Sequence, residues 1–148
     1  MTVWLRAASL TCLLPARSHH SAAGQYGLRI ILPLTDDYQY YTGGKYTFLN
    51  WLGVSTGNFG NTFFTNSDVI AAFKSYIGLL MNHKNPYTGL TWANDPTIMA
   101  WETGNEFGAY MGKEGYPPAS FTSSVAAYIK SQTQALVIDG SDGFYNYR

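Results

Sequence analysis

An α/β fold with a parallel sheet is what this sequence predicts, and three observations predict it. Short apolar runs recur at Leu28–Leu34, Ile98–Trp101 and Ala135–Asp139, each the length of a buried strand rather than of a helix. Segments with helical periodicity, one after Asn66 and one after Ser120, separate consecutive runs, and strands joined through helices pair in parallel. The 148 residues, 46% hydrophobic, suffice for the core of one ordinary domain.

Residues 1–25 form an unassigned N-terminal segment. Arg6 falls late for a secretory signal, and Ser9, Thr11 and Cys12 interrupt the apolar run, so a signal peptide is not favoured over a short amphipathic or disordered stretch. His19 and His20 are expected in a solvated loop, because neither has a second ligand at a metal-like spacing. From residue 26 to 148 the chain reads as domain. Gly27 and Thr35-Asp36-Asp37 bound the first strand. A long polar-aromatic loop is expected from Asp36 to about Thr65, carrying Gly43, Gly44, Gly53, Gly57 and Gly60; loops of this length in compact domains usually carry function.

Asn66 or Ser67 caps the first helix and Asp68 favours its positive end, while Ile70, Phe73, Ile77 and Leu80 make one apolar stripe that fades near His83. After Asp95-Pro96 the second strand is read from Thr97 to Glu106. The second helix spans about Ser120 to Thr133, with Phe121, Val125, Tyr128 and Ile129 on one face. The last strand, Ala135–Asp139, enters a loop at Gly140. Three strands leave two open sheet edges, so the chain reads as part of a larger sheet or barrel.

Nine basic side chains balance nine acidic ones, which argues against a nucleic-acid or anionic-membrane partner. No apolar run approaches the ~20 residues of a membrane span. A single cysteine, Cys12, excludes an internal disulfide and a cysteine-based zinc site. Charged residues are only 12% and aromatic residues 16%, with twelve tyrosines. That composition suits a neutral, hydroxylated, ring-shaped partner, or equally an aromatic core.

Of the nine carboxylates, Asp36, Asp37, Glu106 and Asp142 fall at or just past the C-terminal ends of strands, the edge where parallel α/β proteins bind ligands. Glu102 and Glu106 lie four apart on one extended run, which puts both on one face with backbones ~13 Å apart. An interior Glu102 is costly unless paired, and Arg29 is its expected partner. Glu106, at a strand tip beside Asn105, suits sugar chemistry: a carboxyl protonates a leaving oxygen while the amide holds a neighbouring hydroxyl. Gly43-Gly44-Lys45 lacks the spacing of a phosphate loop, and no nucleophile elbow is present.

The run Asp95-Pro96-Thr97-Ile98-Met99-Ala100-Trp101-Glu102-Thr103-Gly104-Asn105-Glu106 resembles the fourth-strand signature of glycoside hydrolase family 5, in its endo-β-1,4-mannanase branch. Gly27 to Tyr38, Phe63-Phe64-Thr65-Asn66 with the capped helix, and Asp142-Gly143-Phe144-Tyr145 resemble further blocks of that branch in the same order. The resemblance implies a partial (β/α)8 barrel, about three βα units corresponding to strands 3 to 5. It implies hydrolysis of β-1,4-mannan by a retaining mechanism, with no metal or organic cofactor, a mannan-type polysaccharide as partner, and secretion. On it Glu106 is the acid/base, Asn105 binds the sugar, Asp37 is a polar contact, Tyr38 is a sugar platform and Trp51 is a loop tryptophan of the site. The family usually has Pro where this chain has Phe107, and its nucleophile glutamate belongs to the seventh strand, which is not recognisable here. The chain alone is therefore expected to be inactive. A β-glucan hydrolase of the same family and a truncated, non-catalytic carbohydrate-binding product remain the alternatives.

Overall fold

The computed structural model describes residues 18–40, 43–108 and 117–141. Three parallel strands form its sheet: β1 (Ile30–Pro33), β2 (Ile98–Glu102) and β3 (Leu136–Ile138), side by side in that order. Helix α1 covers 18–25. Helices α2 (Gly44–Trp51) and α3 (Ser67–Met81) lie between β1 and β2, and α4 (Ala119–Lys130) lies between β2 and β3. The α/β class with parallel strands is therefore as the sequence predicts.

The two faces of the sheet differ sharply. Leu32, Trp101 and Val137 pair in one register row and join the single core built with the helices, where Trp101 is fully buried. The next row, Ile31, Ala100 and Leu136, faces away, and Ile31 and Leu136 are 46% and 61% exposed. Among the described residues six phenylalanines, Phe48, Phe63, Phe64, Phe73, Phe107 and Phe121, are buried. Phe63 stands among them, with ring centroids 5.2–5.8 Å from five of the others. Such tilted and edge-to-face pairs each add about 0.5–1.5 kcal/mol beyond area burial. The aromatic surplus thus builds the core first, and the most exposed described rings are the tyrosines Tyr26, Tyr40 and Tyr87.

Helix α3 forms as its pattern predicts. The Asn66 side chain accepts hydrogen bonds from the Asp68 and Val69 amides at 3.0 and 3.1 Å, and Phe73, Ile77 and Leu80 are buried. The expected loop from Asp36 to Thr65, in contrast, contains α2 and a 3-10 segment, Asn58–Phe64. The α2 sequence, GKYTFLNW, is poor in strong helix formers, so propensity does not announce it. Burial of Tyr46, Phe48 and Leu49 against the core stabilises it instead. The second strand is also shorter than expected. It ends at Glu102, and Glu106 has left it with φ of 55°, so the two glutamates do not share an extended run.

The histidine pair is not in a solvated loop. His19 and His20 lie in α1, and His20 is 4% exposed, its ring centroid 4.5 Å from that of Trp92. Burial lowers the His20 pKa, the Asp95 charge opposes this, and His19 adds to the lowering. A histidine depressed in the folded state binds its proton more readily when unfolded. Its contribution is therefore complete above the ordinary value of about 6.5 and is lost as pH falls from there toward the folded pKa. Thermal denaturation across that window is expected to show a melting temperature that drops with pH, and His20→Leu is expected to flatten the slope.

Candidate active site

The C-terminal ends of β1 and β2 are stitched together past the last strand residues. The Leu34 amide donates to the Glu102 carbonyl at 3.0 Å, the Asn105 amide to the Thr35 carbonyl at 2.9 Å, and the Asp37 amide to the Asn105 carbonyl at 3.0 Å. These bonds hold the tripeptide Asp36-Asp37-Tyr38 beside Asn105-Glu106, with Asp36 and Asn105 bridged in parallel. The Asp36 carboxylate accepts the Tyr38 amide at 2.9 Å and the Asn105 side-chain amide at 3.4 Å. The Tyr38 hydroxyl donates to Glu106 Oε2 at 2.9 Å. Tyr40 stands next to it, with ring centroids 5.4 Å apart, and is 66% exposed.

Glu106 takes a left-handed backbone conformation, which costs a non-glycine residue on the order of 1–3 kcal/mol. Strain of this kind persists where the surroundings over-determine it, and here they do. The next two amides are both held: Phe107 donates to the Gly140 carbonyl at 3.0 Å and Gly108 to the Ser141 carbonyl at 2.8 Å. Glu106 is left half-buried, with its carboxylate on Tyr38.

Phe107 explains this chain's departure from the usual proline. Its amide is used as a donor, which a proline lacks, and its ring is 3% exposed, packed on Phe63, Phe64 and Phe121. The ring occupies the space a side chain at residue 104 would need, since a Cβ there would lie 2.0 Å from a ring carbon. Gly104 and Phe107 are one fitted pair. Phe107→Ala is expected to cost about 3–5 kcal/mol, and Phe107→Pro to cost no less, because the bond to Gly140 is lost as well; thermal melting checks both.

Charge at this edge is uneven. Asp36, Asp37, Glu102 and Glu106 contribute carboxylates, and Lys45, the second residue of α2, forms an ion pair with Asp37. The Glu102 carboxyl is pushed above the ordinary carboxylate range, first by burial and then by the charges of Asp36 and Glu106. Arg29 is not its partner: it is exposed and precedes the far end of β1, whereas Glu102 pairs with Pro33.

Of the residues expected at the site, Glu106, Asn105 and Tyr38 are brought together, and Asp37 is adjacent but turned inward, 1% exposed, toward Lys45. Trp51 is not brought there. It ends α2, roughly 10 Å along the helix axis from Gly44, with its ring on Phe48 and 48% exposed. Asp142, and with it the block Asp142-Gly143-Phe144-Tyr145, lies outside the described residues. Sequence reasoning missed Lys45 and Tyr40 and left Asp36 without a role. The available signal for Lys45 was a lone cation closely following two aspartates in a segment otherwise poor in charge.

No group of three or more His, Cys, Asp or Glu side chains among the described residues is arranged to hold a metal ion. The arrangement offers instead one carboxyl buttressed by a phenol, an amide fixed at the backbone and aromatic rings beside them. These are the parts of a proton donor next to a sugar-binding surface.

A family model described as GH family 5 beta-mannosidase-like matches residues 20–147. The chain is 34% identical over 128 residues to mannan endo-1,4-beta-mannosidase 1 of Oryza sativa subsp. japonica, which covers 84% of this chain and 29% of that protein. It is 35% identical over 127 residues to mannan endo-1,4-beta-mannosidase 2 of Arabidopsis thaliana, covering 83% of this chain and again 29% of the relative. The chain thus spans less than a third of the length of these relatives. Among solved structures, a hyperthermostable endo-1,4-beta-D-mannanase from Thermotoga petrophila superposes with a TM-score of 0.78 at 30% identity, over 89% of this chain and 36% of that one. An endo-1,4-beta-mannanase from Rhizomucor miehei gives 0.69 at 28% identity, over 87% of this chain and 38% of that one.

Proposed function

The chain belongs to the β-mannosidase-like glycoside hydrolases of family 5, and from that premise we propose that it carries the acid/base half of a site that hydrolyses internal β-1,4-mannosidic bonds with retention. Its three βα units are part of a (β/α)8 barrel of that family. The observation that carries the reading is the hydrogen bond from the Tyr38 hydroxyl to Glu106 Oε2, at the sheet edge where both the amide and the carbonyl of Asn105 are anchored to the segment that follows β1.

In this reading the Glu106 carboxyl gives its proton to the leaving oxygen and, in the second half-reaction, takes one from water. The phenol of Tyr38 orients that carboxyl. Asn105 presents its side-chain amide to a sugar hydroxyl, steadied by the Asp36 carboxylate, and the Tyr38–Tyr40 pair offers ring faces to the pyranose. The Glu102 carboxyl, pushed up by burial and by the charges of Asp36 and Glu106, lies beneath this edge. Residues 26–148 are the partial catalytic domain, and a polymeric mannan substrate places the enzyme outside the cell. Net charge of zero fits a neutral polysaccharide better than a nucleic acid, and no described helix is long and apolar enough to cross a membrane.

Calorimetric titration with manno-oligosaccharides tests the binding part. Tyr38→Ala is expected to weaken binding by about tenfold, the loss of one ring contact with the sugar, while the melting temperature moves little because Tyr38 is only half-buried. A fall in melting temperature comparable with that of Phe107→Ala, with binding unchanged, places Tyr38 in the core instead. Tighter binding of cello- than of manno-oligosaccharides turns the reading toward a β-glucan hydrolase.

A further inference from the structure

The Lys45–Asp37 ion pair adjoins the site without facing it. Its two side chains are 2% and 1% exposed, in an aromatic pocket where the Lys45 ammonium lies 5.0 Å from the centroid of Phe64 and 5.6 Å from that of Tyr46. A buried ion pair is a poor source of stability, because apolar residues of the same volume often do as well or better. Its use is found in what it grips. Lys45 holds the tripeptide Asp36-Asp37-Tyr38 twice, its amide donating to the Asp36 carbonyl at 2.8 Å and its ammonium to the Asp37 carboxylate. Gly44 brings α2 close enough to do this: its φ is +52°, and a Cβ there would lie 2.1 Å from the Tyr38 carbonyl oxygen and 2.5 Å from that of Asp36.

The chain bends at Asp37 and Tyr38, and the Asp36 carboxylate closes the bend on the Tyr38 amide at 2.9 Å. With Asp37 drawn inward to Lys45, Asp36 meets the Asn105 amide and Tyr38 meets Glu106. We propose that Lys45 is a positioning residue, whose ammonium, by holding the Asp37 carboxylate inside, sets the Tyr38 hydroxyl on the Glu106 carboxylate. The proposal rests on the reading of Glu106 as the acid/base. Without the ammonium, the buried Asp37 carboxylate loses its cationic partner, and the bend that carries the Tyr38 hydroxyl to Glu106 loses that anchor.

The test uses the full 148-residue chain with 3-fluorotyrosine incorporated at position 38 and read by fluorine NMR. Glu106→Ala calibrates the resonance of a phenol that has lost its acceptor. Lys45→Met is expected to move the resonance most of the way to that value, while Lys45→Met combined with Asp37→Leu, which removes the charge and keeps the pocket filled, is expected to return it toward wild type. A space-filling role does not produce that rescue. Asp37→Asn, which keeps the volume, is expected to shift the resonance in the same direction as Lys45→Met and serves if the lysine variant does not fold, as judged by circular dichroism. An unmoved resonance in folded Lys45→Met or Asp37→Asn, or a double variant that behaves like the single one, overturns the proposal alone. An unmoved resonance in Glu106→Ala removes the Tyr38–Glu106 contact, and with it the site reading.

Discussion

Glu106→Gln, placed in a closed barrel, is expected to lower hydrolysis of mannan by about 10²–10⁴-fold, the usual share of general acid catalysis, and to cost far less on aryl mannosides with good leaving groups. A suitable barrel is the Thermotoga petrophila mannanase with its matching segment replaced by this chain, given the TM-score of 0.78 over 89% of the chain. The asymmetry follows from what the residue does. A sugar alkoxide is a poor leaving group and needs a proton as the bond breaks, whereas a nitrophenolate leaves without one. Gln keeps the size and the ability to meet the Tyr38 hydroxyl, so the packing at this strained position is preserved while the proton is lost. Equal losses on both substrates assign Glu106 a structural role.

The 148-residue polypeptide by itself is expected to hydrolyse no mannan. Retention needs a second, ionised and accessible carboxylate about 5–5.5 Å from the acid/base, on the far side of the anomeric carbon. The described carboxylates at this edge follow β1, β2 and β3, the same wall as Glu106, and each is already engaged or perturbed. Asp36 accepts from Tyr38 and Asn105, Asp37 is paired inward with Lys45, Asp139 accepts from the Ser141 amide and hydroxyl, and burial pushes the Glu102 carboxyl up. The proton half of the step is then attempted in a site open to water, where electrostatic contacts weaken. Mannan hydrolysis that survives purification and disappears in Glu106→Gln overturns this expectation and means that another carboxylate reaches the site.

The fold was legible where one local signal sufficed. The apolar runs of β1, β2 and β3 and the capped stripe of α3 each announce themselves within a short window. Helix α2 does not, because its residues favour helix only once Tyr46, Phe48 and Leu49 have a core to enter. The burial of His20 escapes the sequence for the same reason: its neighbour Trp92 is 72 residues away in the chain, and nothing local shows that a histidine will be covered.

The site divides along the same line. Glu106 and Asn105 are marked by position, at the tip of a readable strand, and by their resemblance to a known signature. Tyr38 follows from the loop after β1. Which of two adjacent aspartates turns inward follows from the ion pair of Asp37 with Lys45, a residue on an element the sequence does not reveal. Trp51, a site residue by resemblance, stands at the last position of α2 with its ring on Phe48.

Mannotetraose titrated into the isotopically labelled 148-residue chain tests most directly whether the edge formed by Asp36, Tyr38, Asn105 and Glu106 is a sugar site. Amide resonances of residues 36–38 and 104–108, and the side-chain amide of Asn105, are expected to shift together and saturate, and the response is expected to fade in Asn105→Ala. Shifts concentrated around His20 and Trp92 at the opposite edge, with residues 104–108 unmoved, contradict it.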